Sequence, residues 1–412
     1  MLILLFFVNL YAQIISPQAT EVNFQLESEF VTKREEDPEI IADEHLQHLF
    51  GIMHSPGFTE SFGVSYKLVE GAGGLQIPSK LKIITYAEDK NEFIIRYKAT
   101  GTMILHKDIA AKALATGGLH VPMPYLLDKF YQKKCTDSYY DTIGDFWYFY
   151  DPFREGCEKF ATEPLAREVF IKITERTNKK YETKPDLKAI RGNNRNGNLL
   201  LISMLNGYAE TSRTRQDEGR ITFEEINAHL VEQGFKQTRV RRLETSPMYV
   251  YEKDIQTPNG VVKVQIERLL VDSDIASRSK VFAKYFISAM EKSDVIIYSG
   301  HSGLGANLDI PSLEEKAGAT IQFDKYKKQI AYFDSCSSYS YYLSTFREVK
   351  RRAKIDIVTN GLNSYFSNAA LVHIAFLDHI LDFDNSPDWM TILSDMEAPL
   401  EGATYLLNVG GI

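Results

Sequence analysis

The chain has 412 residues, of which 44% are apolar, and a formal net charge of −8 at pH 7. This length implies about two or three domains with ample material for a core, and the acidic balance excludes nucleic acid as the principal partner. The basic runs Arg239-Val240-Arg241-Arg242 and Lys350-Arg351-Arg352 are short and read as solvated faces.

Leu2 to Leu10 is an apolar run too short to cross a bilayer, and it stops at Tyr11-Ala12-Gln13. Residues 1–13 therefore read as a signal peptide, although no Lys or Arg precedes the run and Leu10 stands where a small residue is customary. No later stretch is long and apolar enough to span. An exported protein, periplasmic or extracellular and without a stable membrane span, is expected.

Residues 14–192 read as a β-rich N-terminal domain of unknown role. Runs such as Leu81 to Tyr86 and Phe93 to Tyr97 alternate between apolar and polar side chains and are separated by turn formers. His45, His48 and His54, with Asp43 and Glu44, match no established metal-ligand spacing and read as a short amphipathic helix. Neither a metal nor a cofactor is expected. Cys135 and Cys157 flank the aromatic run Phe146 to Tyr150 and are the disulfide candidates in an oxidising compartment, which leaves Cys336 as an odd thiol.

The polar run Arg191 to Asn198 reads as a linker, and residues 198–412 change rhythm to strand then helix. Leu199 to Leu205 is a buried strand. Thr222 and Glu225 suggest a capping box that opens a helix with Phe223, Ile226, Leu230 and Val231 on its apolar face. A hairpin turns at Pro258-Asn259-Gly260, and a helix runs through Phe282, Tyr285, Phe286 and Met290. The apolar strands Val295 to Ser299 and Ile330 to Asp334 follow, ending at His301 and Cys336. A helix through Leu343 and Phe346, a strand Ile355 to Val358 and an apolar helix over 368–381 complete the pattern of a mostly parallel sheet covered on both faces. In such sheets functional residues gather at the carboxyl ends of strands, where both His301 and Cys336 lie.

A thiol with an ordinary pKa of about 8.5 is only roughly 3% thiolate at neutral pH, so a working cysteine nucleophile needs a partner such as an imidazole. Tyr298-Ser299-Gly300-His301 and Asp334-Ser335-Cys336-x-Ser338 together resemble the paired signature of the caspase-like (clan CD) cysteine peptidases, closest to metacaspases. The resemblance covers about residues 198–381 and implies an α/β fold of caspase type, a three-layer sandwich. It also implies an endopeptidase acting on protein or peptide substrates without a cofactor. His301 would be the general base and acid, and Cys336 the nucleophile. The oxyanion hole would be built from the N–H groups of Cys336 and of Ser302 or Gly303, and Asp334 would line a pocket for a basic residue before the scissile bond. The chain departs from the family wording where Ser302 replaces the glycine after the histidine and where Ser337 follows the cysteine. The interval between the pair is also short for the group.

Two other readings use the same residues. Gly300-His301-Ser302-Gly303 approaches a nucleophile elbow, which would make Ser302 the nucleophile of an α/β serine hydrolase, but the fifth position is Leu304 and a loop follows instead of a helix. An inactive caspase-like binding module is the third. Asp334 also suits a helix N-cap. The arginine-bearing loop Glu210 to Arg220 is a candidate for self-cleavage.

Overall fold

A computed structural model of the chain describes residues 14–130, 133–136, 147–148, 150–176, 183–191, 198–210, 214–274, 279–350 and 354–410. The signal-peptide reading, most of the linker, part of the aromatic run and residues 211–213 fall outside them.

The N-terminal half begins with β1 (Ala19–Thr32), α1 (Pro38–Met53), α2 (Pro56–Ser61), β2 (Gly73–Leu75), β3 (Lys80–Asp89) and β4 (Glu92–His106). It continues with α3 (Lys107–Thr116), β5 (Gly118–Pro124), α4 (Leu127–Phe130), β6 (Ala166–Glu175) and α5 (Leu187–Ile190). Its strands form one antiparallel sheet in the order β2-β4-β1-β6-β5, with β3 also paired to β4. Val22, Phe24 and Leu26 recur at the two-residue period of a strand with one buried face.

Helix α1 is the amphipathic helix expected there, longer than a short one, with Glu39, Ile40, Asp43, Glu44 and Gln47 on its less buried face. Asp37 caps it and Pro38 opens it, but it is buried along most of its length. His45 bonds Tyr97 Oη and the Pro124 carbonyl, each at 2.7 Å, and stacks on Phe30. Burial pushes His45 down to about 3 and His48 and His54 to about 4, so these rings are neutral packing groups at physiological pH. Among the described residues no cluster of ligands suits a metal. Cys135 and Cys157 are joined as a disulfide.

The second half consists of β7 (Leu199–Gly207), α6 (Glu218–Glu232), β8 (Lys236–Leu243), β9 (Ser246–Thr257), β10 (Gly260–Val271), α7 (Lys280–Lys292), β11 (Val295–Ser299) and α8 (Ile310–Ala317). Then come β12 (Gln329–Asp334), α9 (Ser338–Tyr341), α10 (Leu343–Lys350), β13 (Ile355–Thr359), α11 (Phe366–Leu381), α12 (Trp389–Glu397) and β14 (Asn408–Gly410). The sheet order is β14-β13-β12-β11-β7-β10-β9-β8, and its five central strands from β13 to β10 are parallel. Helix α6 starts earlier than the capping-box reading placed it. Asp217 is the cap, accepting the Arg220 N–H at 2.9 Å, and Thr222 is one turn inside. Val231 points to solvent at 57% exposure rather than into the core. Strand β8 has no apolar run to announce it, because as an edge strand it is exposed nearly throughout and carries Lys236, Arg239, Arg241 and Arg242.

Alternate residues of each central strand feed different cores. Val295, Ile297, Ile330 and Tyr332 pack with α6, α11 and α12, whereas Ile296, Tyr298, Ala331 and Phe333 pack with α7, α8 and α10. The second of these cores runs without a break into the N-terminal half, through Val22, Phe50, Met103 and Ile104. Buried Glu21 on β1 accepts from Tyr339 at 2.8 Å and pairs with Arg176 at 2.9 Å, tying the two sheets through α9. No described helix is long and apolar enough to cross a membrane.

Candidate active site

The chain lays down β7, places β10 on one side of it and then β11 on the other, so the strand order reverses beside β7. Ligands of open α/β sheets bind beyond the carboxyl ends of the strands at such a reversal. A pocket of about 200 Å3 lies there, lined by His301, Cys336 and Asp334 together with Glu218, Ser364 and Phe366.

His301 follows β11 across Gly300, whose amide donates to the Asp334 carbonyl at 3.1 Å. A Cβ at Gly300 would sit 2.8 Å from Ser273 Oγ and 2.9 Å from Tyr298 Oη, so a side chain here would have to displace those hydroxyls. The imidazole is exposed and its Nε2 lies 2.9 Å from the Ala209 carbonyl, just past β7. A carbonyl only accepts, so Nε2 carries the proton, and the neutral ring keeps Nδ1 as its basic atom. The ring of Phe366 meets the imidazole edge-on at 5.3 Å.

Cys336 lies beyond β12 in a turn whose next residue, Ser337, holds a left-handed φ of 51°. The thiol is part-buried and points to the Ser364 carbonyl at 3.7 Å. Burial pushes it up to about 11, and the Asp334 charge acts in the same direction. A resting thiolate is therefore scarce at neutral pH, and attack requires a base that takes the proton as the sulfur–carbon bond forms.

Asp334 lines the pocket but does not cap a helix. Its Oδ2 bonds His373 Nε2 at 2.8 Å, and its Oδ1 accepts from Asn360 Nδ2 at 2.8 Å. The carboxylate is thus largely committed to the floor of the site. Glu218, on the first turn of α6, is exposed at the rim and bonds no described residue. Gly219 explains its placement: a Cβ there would lie 2.0 Å from the Gly207 carbonyl, and only glycine lets α6 dock against the end of β7.

Ser302 and Gly303 do not line the pocket. Ser302 is buried, and its carbonyl accepts from Tyr342 Oη at 2.8 Å and from Asn307 N at 3.1 Å. The His301 carbonyl is likewise anchored inward by Tyr298 Oη at 2.6 Å and Asn307 Nδ2 at 2.8 Å. In a trans peptide N–H and C=O point in opposite directions, so the amides of Ser302 and Gly303 face away from these buried anchors. Neither amide, nor that of Cys336, has a carbonyl acceptor among the described residues.

His373, Asn360, Glu218, Phe366 and the Ala209 carbonyl were not found from the sequence. Only Glu218 carried a signal, the Asp217 N-cap that starts α6 beside β7.

No protein-family model matches the chain, and no curated protein matches it. Among solved structures it is similar in part to a secreted C11 cysteine protease from Bacteroides thetaiotaomicron in complex with an irreversible peptide inhibitor. The identity is 14% over 49% of this chain and 57% of that chain, with a TM-score of 0.24.

Proposed function

We propose that the protein is an exported cysteine endopeptidase of caspase-like type, cleaving after basic residues through Cys336 and His301. The observation that carries this reading is that one pocket, at the carboxyl ends of adjacent parallel strands, is lined by both residues. In this mechanism Cys336 Sγ attacks the substrate carbonyl while His301 Nδ1 takes the thiol proton. The oxyanion is held by the amide of Cys336, which lines the pocket as Ser302 and Gly303 do not. His301 then protonates the departing amine, and water hydrolyses the thioester with the histidine again as base. Glu218 supplies the free carboxylate for a cationic substrate side chain, with Asp334 adding negative potential from below. The burial of Ser302 and its absence from the pocket lining disfavour a serine hydrolase.

The test is hydrolysis of matched arginyl and glutaminyl peptides by the wild type and by Cys336→Ala. Cleavage of the arginyl peptide that disappears in Cys336→Ala supports the reading. Full activity in the variant would remove the dyad, and equal turnover of both peptides would remove the basic preference.

A further inference from the structure

Residues 360–365 join β13 to α11, and Ser364, Tyr365 and Phe366 form the wall of the pocket that touches both members of the pair. The Ser364 carbonyl accepts from Cys336 Sγ, and the Phe366 ring lies against His301. Tyr365 between them also lines the pocket and is 47% exposed. Its own half of the chain holds this segment by backbone, since the Gly361 amide donates to the Tyr405 carbonyl at 2.9 Å and the Tyr365 amide to Tyr405 Oη at 3.2 Å.

Further support comes from the N-terminal half. The Tyr365 hydroxyl donates to the Glu70 carboxylate, and Tyr148 Oη donates to Asn363 Oδ1 at 3.4 Å. A Cβ on Gly71 would come within 2.8 Å of Leu362, and one on Gly361 within 3.1 Å of Ile104, so the two halves meet closely along this segment. Glu70 is itself on a fixed backbone. The Leu68 carbonyl accepts from Thr404 N at 3.1 Å, and Ala72 N donates to the Met53 carbonyl at 2.6 Å.

We propose that Glu70 is a positioning residue for the site. By accepting the Tyr365 hydroxyl it latches the Ser364–Phe366 wall against Cys336 and His301, which makes the N-terminal half a component of the active centre. The inference rests on the Cys/His reading above. A hydrogen bond to a carboxylate is among the stronger ones, and small displacements of groups around a reacting centre lower rates steeply. The latch therefore acts on kcat more than on KM.

A double-mutant cycle on the full-length protein with Glu70→Ala and Tyr365→Phe tests it, read on kcat/KM for an arginyl peptide and on the rate at which Cys336 takes a small neutral disulfide reagent. Each single change lowers kcat/KM about tenfold or more, the double variant falls no further than the weaker single, and the melting temperature is unchanged. Glu70→Gln, which keeps an acceptor, retains most of the activity. Multiplicative losses in the double variant, or two singles that match the wild type, would overturn the latch. If the wild type cleaves nothing, the peptidase reading fails, and the same cycle on the reagent rate still decides the latch.

Discussion

Removing the imidazole, in His301→Ala, isolates the intrinsic reactivity of the Cys336 thiol. A thiol held at about 11 is thiolate in roughly one molecule in 10,000 at pH 7, against roughly 3% for an ordinary cysteine at about 8.5. That is about a 300-fold deficit, and the higher intrinsic nucleophilicity of the rarer thiolate, with a Brønsted slope of about 0.4–0.5, returns about 10- to 20-fold. Folded His301→Ala therefore reacts with a chromogenic disulfide such as 4,4′-dithiodipyridine about 15 to 30 times more slowly than the same chain in denaturant. Because its group is neutral below the raised value, its rate climbs with pH and levels only near about 11. With His301 as the proposed base, the wild type gains about 100-fold, which lifts its neutral-pH rate above both references. Cys336 is the free cysteine beside a closed disulfide, so without reductant the signal belongs to one residue. Superimposable pH–rate curves for wild type and His301→Ala would refute the coupling of the pair.

His373→Leu strips the buried Asp334 carboxylate of one partner and lowers unfolding free energy by about 3 kcal/mol, read as a shift in denaturant midpoint at constant slope. Gly219→Ala, which would raise helix propensity by about 1 kcal/mol elsewhere, lowers the melting temperature because its Cβ strikes the Gly207 carbonyl, and weakens arginyl-peptide turnover by moving Glu218. At Ser337, with φ of 51°, Ser337→Gly keeps full stability whereas Ser337→Val loses about 2 kcal/mol in the same denaturant assay.

The parallel core of the second half was legible because its strands are continuous apolar runs and its helices carry the helical period. Val295–Ser299 and Ile355–Thr359 lie within a residue of their expected limits. Exposed elements were not legible from the same pattern. Strand β8 carries charge on both faces, so it shows no amphipathic period. His301 and Cys336 drew notice because each follows an apolar strand with a chemically capable side chain, and Asp334 through the resemblance that its segment carries. His373 sits on a helix that is apolar on most sides, and only the tertiary fold brings it under Asp334. The same holds for Glu70 and Tyr365, which come from different halves of the chain and meet at the pocket wall.

The most direct test is to trap the intermediate. The wild-type protein mixed with an arginyl peptide ester, quenched in acid within the first turnover and mapped by mass spectrometry, should carry the acyl group as a thioester on Cys336, with no adduct in Cys336→Ala. Product formation with the acyl group on Ser302, or with no adduct on Cys336 during the burst, would contradict the account.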